Sequence, residues 1–149
     1  MLLLLLATAC AGLFCGAALY VNLVEHPARI SCGQELAVRE FAPSYRRATI
    51  MQAALAIAGL ALGLCAAWQL RAARVLAGAV LLGASVPFTL IVILPTNKKL
   101  VDPALDPQST QTAGLLKRWN RLHGVRTALS GAAFGLFLWC VADSRGSAW

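Results

Sequence analysis

The sequence predicts an all-α membrane protein, an antiparallel bundle of four transmembrane helices. First, 59% of its 149 residues are hydrophobic and only 13% are charged, whereas roughly 25% are charged in an average soluble domain. Second, it contains four apolar stretches, each close to the roughly 20 residues that cross a bilayer. We therefore expect a single domain over residues 1–149. Its spans should lie at about 2–24, 46–69, 75–94 and 115–141.

The first span begins with a leucine-rich run and contains several small residues. Its apolar run is longer than the roughly 7–15 residues typical of a signal peptide, so we interpret it as a retained helix. Small side chains at Ala7, Ala11 and Gly12 should allow a neighbouring helix to approach closely. This composition favours a tight bundle.

The first span ends in a polar stretch, residues 22–29, where the chain must leave the hydrocarbon. Glu25, His26 and Arg29 place a carboxylate, an imidazole and a guanidinium within five residues. Pro27 is expected to stop the helix at His26. The stretch fits either an ordinary polar helix end or a functional site.

A polar connection, residues 30–45, is expected to hold a short interfacial helix before the second span. At the start of that span, Tyr45, Thr49 and Gln52 are spaced i, i+4 and i+7, which places them on one helical face. This face is polar although the helix is apolar. The turn at residues 71–74 is so short that the third span must run antiparallel to the second.

The third span contains Pro87, which should free a backbone carbonyl and kink the helix. Residues 95–99 are expected to end this span, and the turn signals in residues 100–114 predict a loop that closes over the bundle. The fourth span has unusually polar first turns. There Trp119, His123 and Arg126 again follow i, i+4 and i+7 and so share a face.

Four antiparallel spans bring the end of the first, the start of the second, the end of the third and the start of the fourth into one leaflet. Both histidines of the chain fall in that leaflet, which favours a functional site there. The residues predicted to converge are Asn22, Glu25, His26, Arg29, Tyr45, Gln52, Asn97, Trp119, His123 and Arg126.

The distribution of basic residues predicts how the protein is oriented in the membrane. The formal net charge is +7, and most basic residues lie at the polar end of the predicted bundle. These are Arg29, Arg39, Arg46, Arg47, Lys98, Lys99, Lys117, Arg118, Arg121 and Arg126, against Arg71, Arg74 and Arg145 at the other end. The positive-inside tendency then predicts a multi-pass integral membrane protein with its site on the cytoplasmic side and both termini outside. The lipid bilayer is the expected partner, and nucleic acid is not.

Five cysteines are present, but none form a CxxC pair. Most of them lie in apolar segments, where a free cysteine behaves as a small hydrophobic residue. The sequence therefore predicts no disulfide framework and disfavours a thiol–disulfide enzyme.

Four motifs carry a resemblance to a known family, namely the stretch from Gly16 to Arg29, Tyr45-Arg46-Arg47 with Gln52, Pro95-Thr96-Asn97, and Trp119 with His123 and Arg126. Together they resemble the small four-span proteins of the DUF1772, or anthrone oxygenase-like, family. The resemblance covers nearly the whole chain. It implies a four-helix membrane fold and an oxygenase precedent, in which fungal members oxidise polyketide anthrones to anthraquinones with dioxygen.

The residues also suggest a mechanism that needs no cofactor. A base that removes an acidic C–H proton beside a conjugated carbonyl creates an enolate that reacts with dioxygen, and imidazole suits this work near neutral pH. His26 or His123 would be the base, with Glu25 as its orienting partner. Arg126, Asn97 or Tyr45 would stabilise the enolate oxygen. The residues predicted to bind an anthrone- or hydroquinone-like lipophilic substrate are Asn22, Arg29, Tyr45, Gln52, Asn97, Trp119 and Arg126.

Two alternatives stay open at this point. Glu25, His26 and His123 are the ligand types of a two-histidine, one-carboxylate iron site, and two histidines could also ligate a haem. Alternatively, the protein is not an enzyme, and it binds or carries a lipophilic small molecule or serves as a scaffold subunit. Intramembrane ionisable groups would then line a binding cavity. The sequence does not fix the oligomeric state.

Overall fold

The structure, a computed structural model, describes residues 1–146 and is helical apart from short connections in that range. The helices are α1 (Leu2–Ser31), α2 (Gln34–Leu70), α3 (Ala73–Leu100) and α4 (Thr110–Gly146). Each is long and apolar enough to cross a membrane. The predicted all-α four-helix fold is confirmed, and the protein is an integral membrane protein. The side chain of Arg145, one of the basic residues counted at the end opposite the predicted site, lies outside the described residues.

Two tight turns join the first three helices. Gly33, between α1 and α2, has φ 102°, a conformation that glycine adopts without steric cost. Arg71 ends α2 in the left-handed region with φ 51°. These reversals need few residues, so α2 packs as an antiparallel neighbour of both α1 and α3.

The helices extend further at the polar end than the sequence predicts. Residues 30–45 do not form a separate interfacial helix, because α2 already begins at Gln34 and continues through Pro43. The loop expected over residues 100–114 is reduced to residues 101–109. The added turns of α2 are stabilised by burial, since Ala37 and Phe41 pack in a cluster with Trp119.

The expected helix ends at His26 and Pro95 are also wrong. A π-helical segment, Val21–Glu25, precedes His26 in α1, and a second one, Thr89–Ile93, precedes Leu94 in α3. Each leads into an α-helical turn whose first positions hold a proline, where the missing N–H group is not needed. Both helices therefore continue past their prolines.

Each π segment inserts an extra residue, which turns the residues that follow by about 100° relative to an uninterrupted α-helix. After the first segment, His26 and Arg29 are buried, and after the second, Thr96 and Asn97 are buried. Such segments are frequent at functional sites. Here they accompany the burial of polar side chains from α1 and α3.

Two apolar clusters hold the bundle together. One fills the end opposite the site and includes Ala11, Leu82 and Phe137. The helices approach closely there, because a Cβ atom on Gly59 would lie 2.5 Å from Leu82. The second cluster lies at the polar end around Phe41, Leu116 and Trp119, with Leu105 of the loop packed against it. The loop therefore covers this end of the bundle.

Candidate active site

His123 on α4 is buried, with 2% of its surface exposed, and both of its ring nitrogens have partners. Its Nε2 contacts the Arg126 guanidinium, and its Nδ1 lies 2.8 Å from Asn22 Oδ1. An arginine can only donate hydrogen bonds, so Nε2 must accept. Nδ1 therefore carries the proton and donates it to Asn22, which fixes a neutral imidazole in one tautomer.

Asn22 lies in the π segment of α1 and joins this helix to α4. Its Oδ1 also accepts a hydrogen bond from Thr127 Oγ1 at 2.5 Å. Its Nδ2 donates to Asn120, to Oδ1 at 2.8 Å and to the backbone carbonyl at 3.2 Å. Because both ends of the amide are held, Asn22 presents a fixed acceptor to His123.

The Arg126 guanidinium has no negatively charged partner in the described part of the chain. It donates to Gln52 Oε1 at 2.5 Å and to His123, and its carbon lies 5.6 Å from the centre of the Phe14 ring. Its Nε is buried and, within residues 1–146, makes no hydrogen bond. A cation this far inside a membrane helix normally has a partner. The described side chains supply only neutral ones.

Arg29 differs, since its charge is compensated. It forms an ion pair with Glu25 on its own helix and a second one with Glu40 of α2 at 2.7 Å. Ser44 Oγ donates to Glu25 at 2.8 Å. Glu25, predicted to orient a histidine, is therefore engaged with Arg29 and Ser44.

An aromatic cluster surrounds the two histidines. The Trp119 ring centre lies 5.3 Å from that of His26 and 4.8 Å from that of His123. Phe41 meets Trp119 edge-on at 5.3 Å and stacks on Tyr45 at 5.9 Å. The Nδ1 atom of His26 is buried and has no hydrogen-bond partner among the described residues. His26 lines a surface groove between α1 and α4.

A cavity of about 30 Å³ lies beside His123 and Arg126. Asn97 lines it, and the buried Oδ1 of Asn97 has no partner in the part of the chain that is described. The predicted residues that line the cavity are Arg29, Tyr45, Gln52, Asn97, Trp119, His123 and Arg126. Asn22 stands behind His123, while Glu25 and His26 do not line the cavity. The spacing of the polar faces on α2 and α4 therefore located most of its wall.

Three residues of this network were not predicted, namely Ser44, Asn120 and Thr127. Asn120 and Thr127 lie three residues before and four residues after His123, so helical spacing places them on its face. That signal was available in the sequence. Ser44 had no such signal, because its role depends on the unpredicted start of α2.

The described residues do not bring Glu25, His26 and His123 together as a metal site. No group of three histidine, cysteine, aspartate or glutamate side chains within residues 1–146 is arranged to hold a metal ion. Glu25 is bound by Arg29 and Ser44, and both nitrogens of His123 are engaged. In this arrangement the three side chains do not fit an iron centre.

Comparison with known families identifies the class of protein that carries this site. Residues 41–136 match the model of the anthrone oxygenase family. Since the match covers more than half of the chain, the protein belongs to that family. The matched range includes Tyr45, Gln52, Asn97, His123 and Arg126, whereas α1 precedes it. No curated protein and no solved structure matches the chain.

Proposed function

We propose that the protein is a membrane-embedded oxygenase that acts with dioxygen on a lipophilic aromatic substrate, anthrone- or hydroquinone-like, as a monooxygenase. The observation that carries this proposal is the pairing of His123 with Arg126 at one cavity. The pair offers a base and a cation for the oxyanion that proton removal creates. The name of the family to which the chain belongs, anthrone oxygenase, agrees with this proposal.

His123 is the favoured base because it lines the cavity together with Arg126, whereas His26 does not. A base and an oxyanion donor must both reach one substrate. The histidine that lines the same cavity as Arg126 is therefore the better candidate. When the substrate binds, Arg126 turns from His123 Nε2 to the substrate oxygen, and Nε2 becomes free to accept a proton. Asn22 holds the other nitrogen throughout.

The reaction balances without a further reductant. His123 takes a proton from the acidic CH₂ group, and the negative charge moves to the carbonyl oxygen beside Arg126. Dioxygen bonds to the carbon, and the proton returns to give a hydroperoxide. Loss of water then leaves a carbonyl group. One oxygen atom enters the product, the other enters water, and the CH₂ group supplies all four electrons.

The other cavity residues have supporting roles in this proposal. Gln52 holds Arg126 in place, and Asn97 and Tyr45 offer polar atoms to the substrate oxygen. Trp119 forms an aromatic wall. His26, whose Nδ1 has no hydrogen-bond partner among the described residues, is the alternative base.

Oxygen uptake with an anthrone and with a hydroquinone tests the activity. With the anthrone, we expect the purified protein in nanodiscs to consume one dioxygen per CH₂ group converted to a carbonyl. We also expect uptake to be unchanged after dialysis against EDTA, because no step needs a metal. Loss of uptake on chelation, together with near-stoichiometric iron in the untreated protein, would establish the metal mechanism in place of the base mechanism.

We also propose that the site faces the cytoplasm, with both termini outside, as the basic residues at this end suggest. Cys32 is exposed at the end of α1, so its labelling shows on which side of the membrane the polar end lies. In intact cells, a variant that retains only Cys32 should resist an impermeant maleimide and react after lysis. A variant with only Ala73→Cys, at the start of α3, should react before lysis. The reverse pattern would invert the orientation.

The second candidate function is a protein that binds or carries a lipophilic molecule without chemistry. Both nitrogens of His123 are already engaged, which favours this candidate if Arg126 stays in place when a ligand binds. The protein would then bind the lipophilic molecule beside Arg126 and release it unchanged. Turnover by histidine variants separates the two candidates.

A further inference from the structure

The cavity beside His123 is not the only space that Arg126 lines. A recess of about 90 Å³ lies between α2 and α3, and it shares Thr49, Gln52 and Arg126 with the cavity. The rest of its wall is mostly apolar and includes Phe14, Ala53, Ala56, Val86 and Leu90. The polar cavity and the apolar recess therefore meet at Arg126.

The recess opens toward lipid. Leu90 is 59% exposed, and Thr49 on the facing helix is also exposed. Arg47 is the last charged residue of α2 before its apolar stretch, and Ala56 lies nine residues further along, or about 14 Å deeper. This depth is within the hydrocarbon core, which is roughly 30 Å thick.

The backbone of α3 explains why the recess between α2 and α3 exists. From Ala73 to Phe88, α3 packs along both α2 and α4, but beyond Phe88 it loses most of its packing against α2 and lies mainly against α4. Pro87 and the π segment Thr89–Ile93 lie at this change, and both distort a helix. On α2, the facing side chains at Ala53 and Ala56 are too small to fill the space.

We infer that a flat aromatic molecule with an acidic hydroxyl or enolisable carbonyl at one edge enters from the bilayer between α2 and α3, placing that edge at Arg126 and its apolar body in the recess. This inference rests on the proposed function and adds to it the subsite that holds the apolar body of the substrate and the route by which the substrate enters. Arg126 has no carboxylate partner in residues 1–146, so an oxyanion complements its charge. The alanine-lined recess complements an apolar ring system.

The size of the two spaces agrees with this division. The cavity is smaller than the recess, about 30 Å³ against about 90 Å³, so we expect only one edge of an aromatic molecule, the edge that carries the reacting atoms, to reach His123 and Arg126. The ring system must lie in the recess and its opening. An edge that binds there as an anion is stabilised by a charge-assisted hydrogen bond.

Binding of 1,8-dihydroxyanthraquinone, which needs no turnover, tests the inference in nanodiscs. Ala53→Phe fills the recess and Leu90→Trp narrows its exposed rim. We expect each to weaken binding by about tenfold or more, because overpacking excludes a ligand from an occupied space. Ala54→Phe adds the same bulk on the exposed face of α2 and should leave the affinity unchanged.

Two further measurements complete the test. Because Leu90 is exposed, Leu90→Trp should fold even if Ala53→Phe does not, and the test then rests on this variant. Leu90→Trp should also slow the association of the probe when the probe is delivered from loaded vesicles. Anthraquinone, which lacks the hydroxyl groups, should bind less tightly than the dihydroxy probe, and Arg126→Gln should abolish that difference.

The inference is overturned if Ala53→Phe and Leu90→Trp bind the probe normally, or if Ala54→Phe weakens binding equally. It is also overturned if the two anthraquinones bind alike. Oxygen uptake by the unmodified protein decides the proposed function separately. Probe binding without oxygen uptake would leave this site in place and remove the oxygenase.

Discussion

Replacing His123 with alanine is expected to lower the turnover number for an anthrone-like substrate by on the order of 10²–10⁴-fold, the usual contribution of a positioned general base. The loss should appear in kcat, because the base acts in the transition state, while the apolar recess continues to bind the substrate. Oxygen uptake at saturating substrate measures it. The His26→Ala variant should lose much less, since His26 does not line the cavity.

Chemical rescue distinguishes a base from a structural residue. His123→Ala leaves a space the size of an imidazole beside Arg126, and added imidazole should restore part of the activity. A purely structural role would give no rescue. If His26→Ala carries the loss and His123→Ala does not, His26 is the base. If both variants keep full oxygen uptake, the protein binds its ligand without chemistry.

Asn22 provides a second test of the same histidine. Asn22→Ala removes the acceptor of the Nδ1–H group and the hydrogen bonds that Asn22 makes with Thr127 and Asn120. The imidazole can then adopt either tautomer, so kcat should fall while the affinity for 1,8-dihydroxyanthraquinone changes little. An equal loss of affinity would assign Asn22 to ligand binding, the role that its sequence position first suggested.

The sequence was sufficient to predict the bundle and much of the cavity wall, because both depend on periodicity. Helical spacing places Tyr45, Thr49 and Gln52 on one face, and the structure brings this face to the cavity. The same is true of the face formed by Trp119, His123 and Arg126. Antiparallel topology then brings the two faces together without further information.

The partners of individual side chains could not be predicted, because they depend on where α1 is interrupted. Pro27 predicts a helix end, but the π segment before it lets the helix continue and buries His26 and Arg29. Arg29 then binds Glu25, and Asn22 is left as the residue that orients a histidine. The conformational preference of proline is local, so it does not predict how α1 packs against the other helices.

Arg126→Gln is expected to lower kcat by about 10²–10³-fold, the usual effect of removing one donor to a developing oxyanion. The same change should leave thermal stability unaltered or raise it. Arg126 has only neutral hydrogen-bond partners among the described side chains, and an uncompensated cation inside a membrane is costly. The measurements are oxygen uptake and thermal unfolding in the same nanodiscs.

Arg29→Gln is the matched control, and we expect the opposite pattern of stability. Arg29 is buried between Glu25 and Glu40, so its loss leaves two carboxylates without their cation. Stability should fall by about 1–3 kcal/mol, less than for a fully buried pair, since Glu40 is partly exposed. If Arg126→Gln destabilises the bundle as much as Arg29→Gln and retains activity, Arg126 is a structural residue. Loss of activity without loss of stability would instead identify Arg126 as a cation held in place for its ligand.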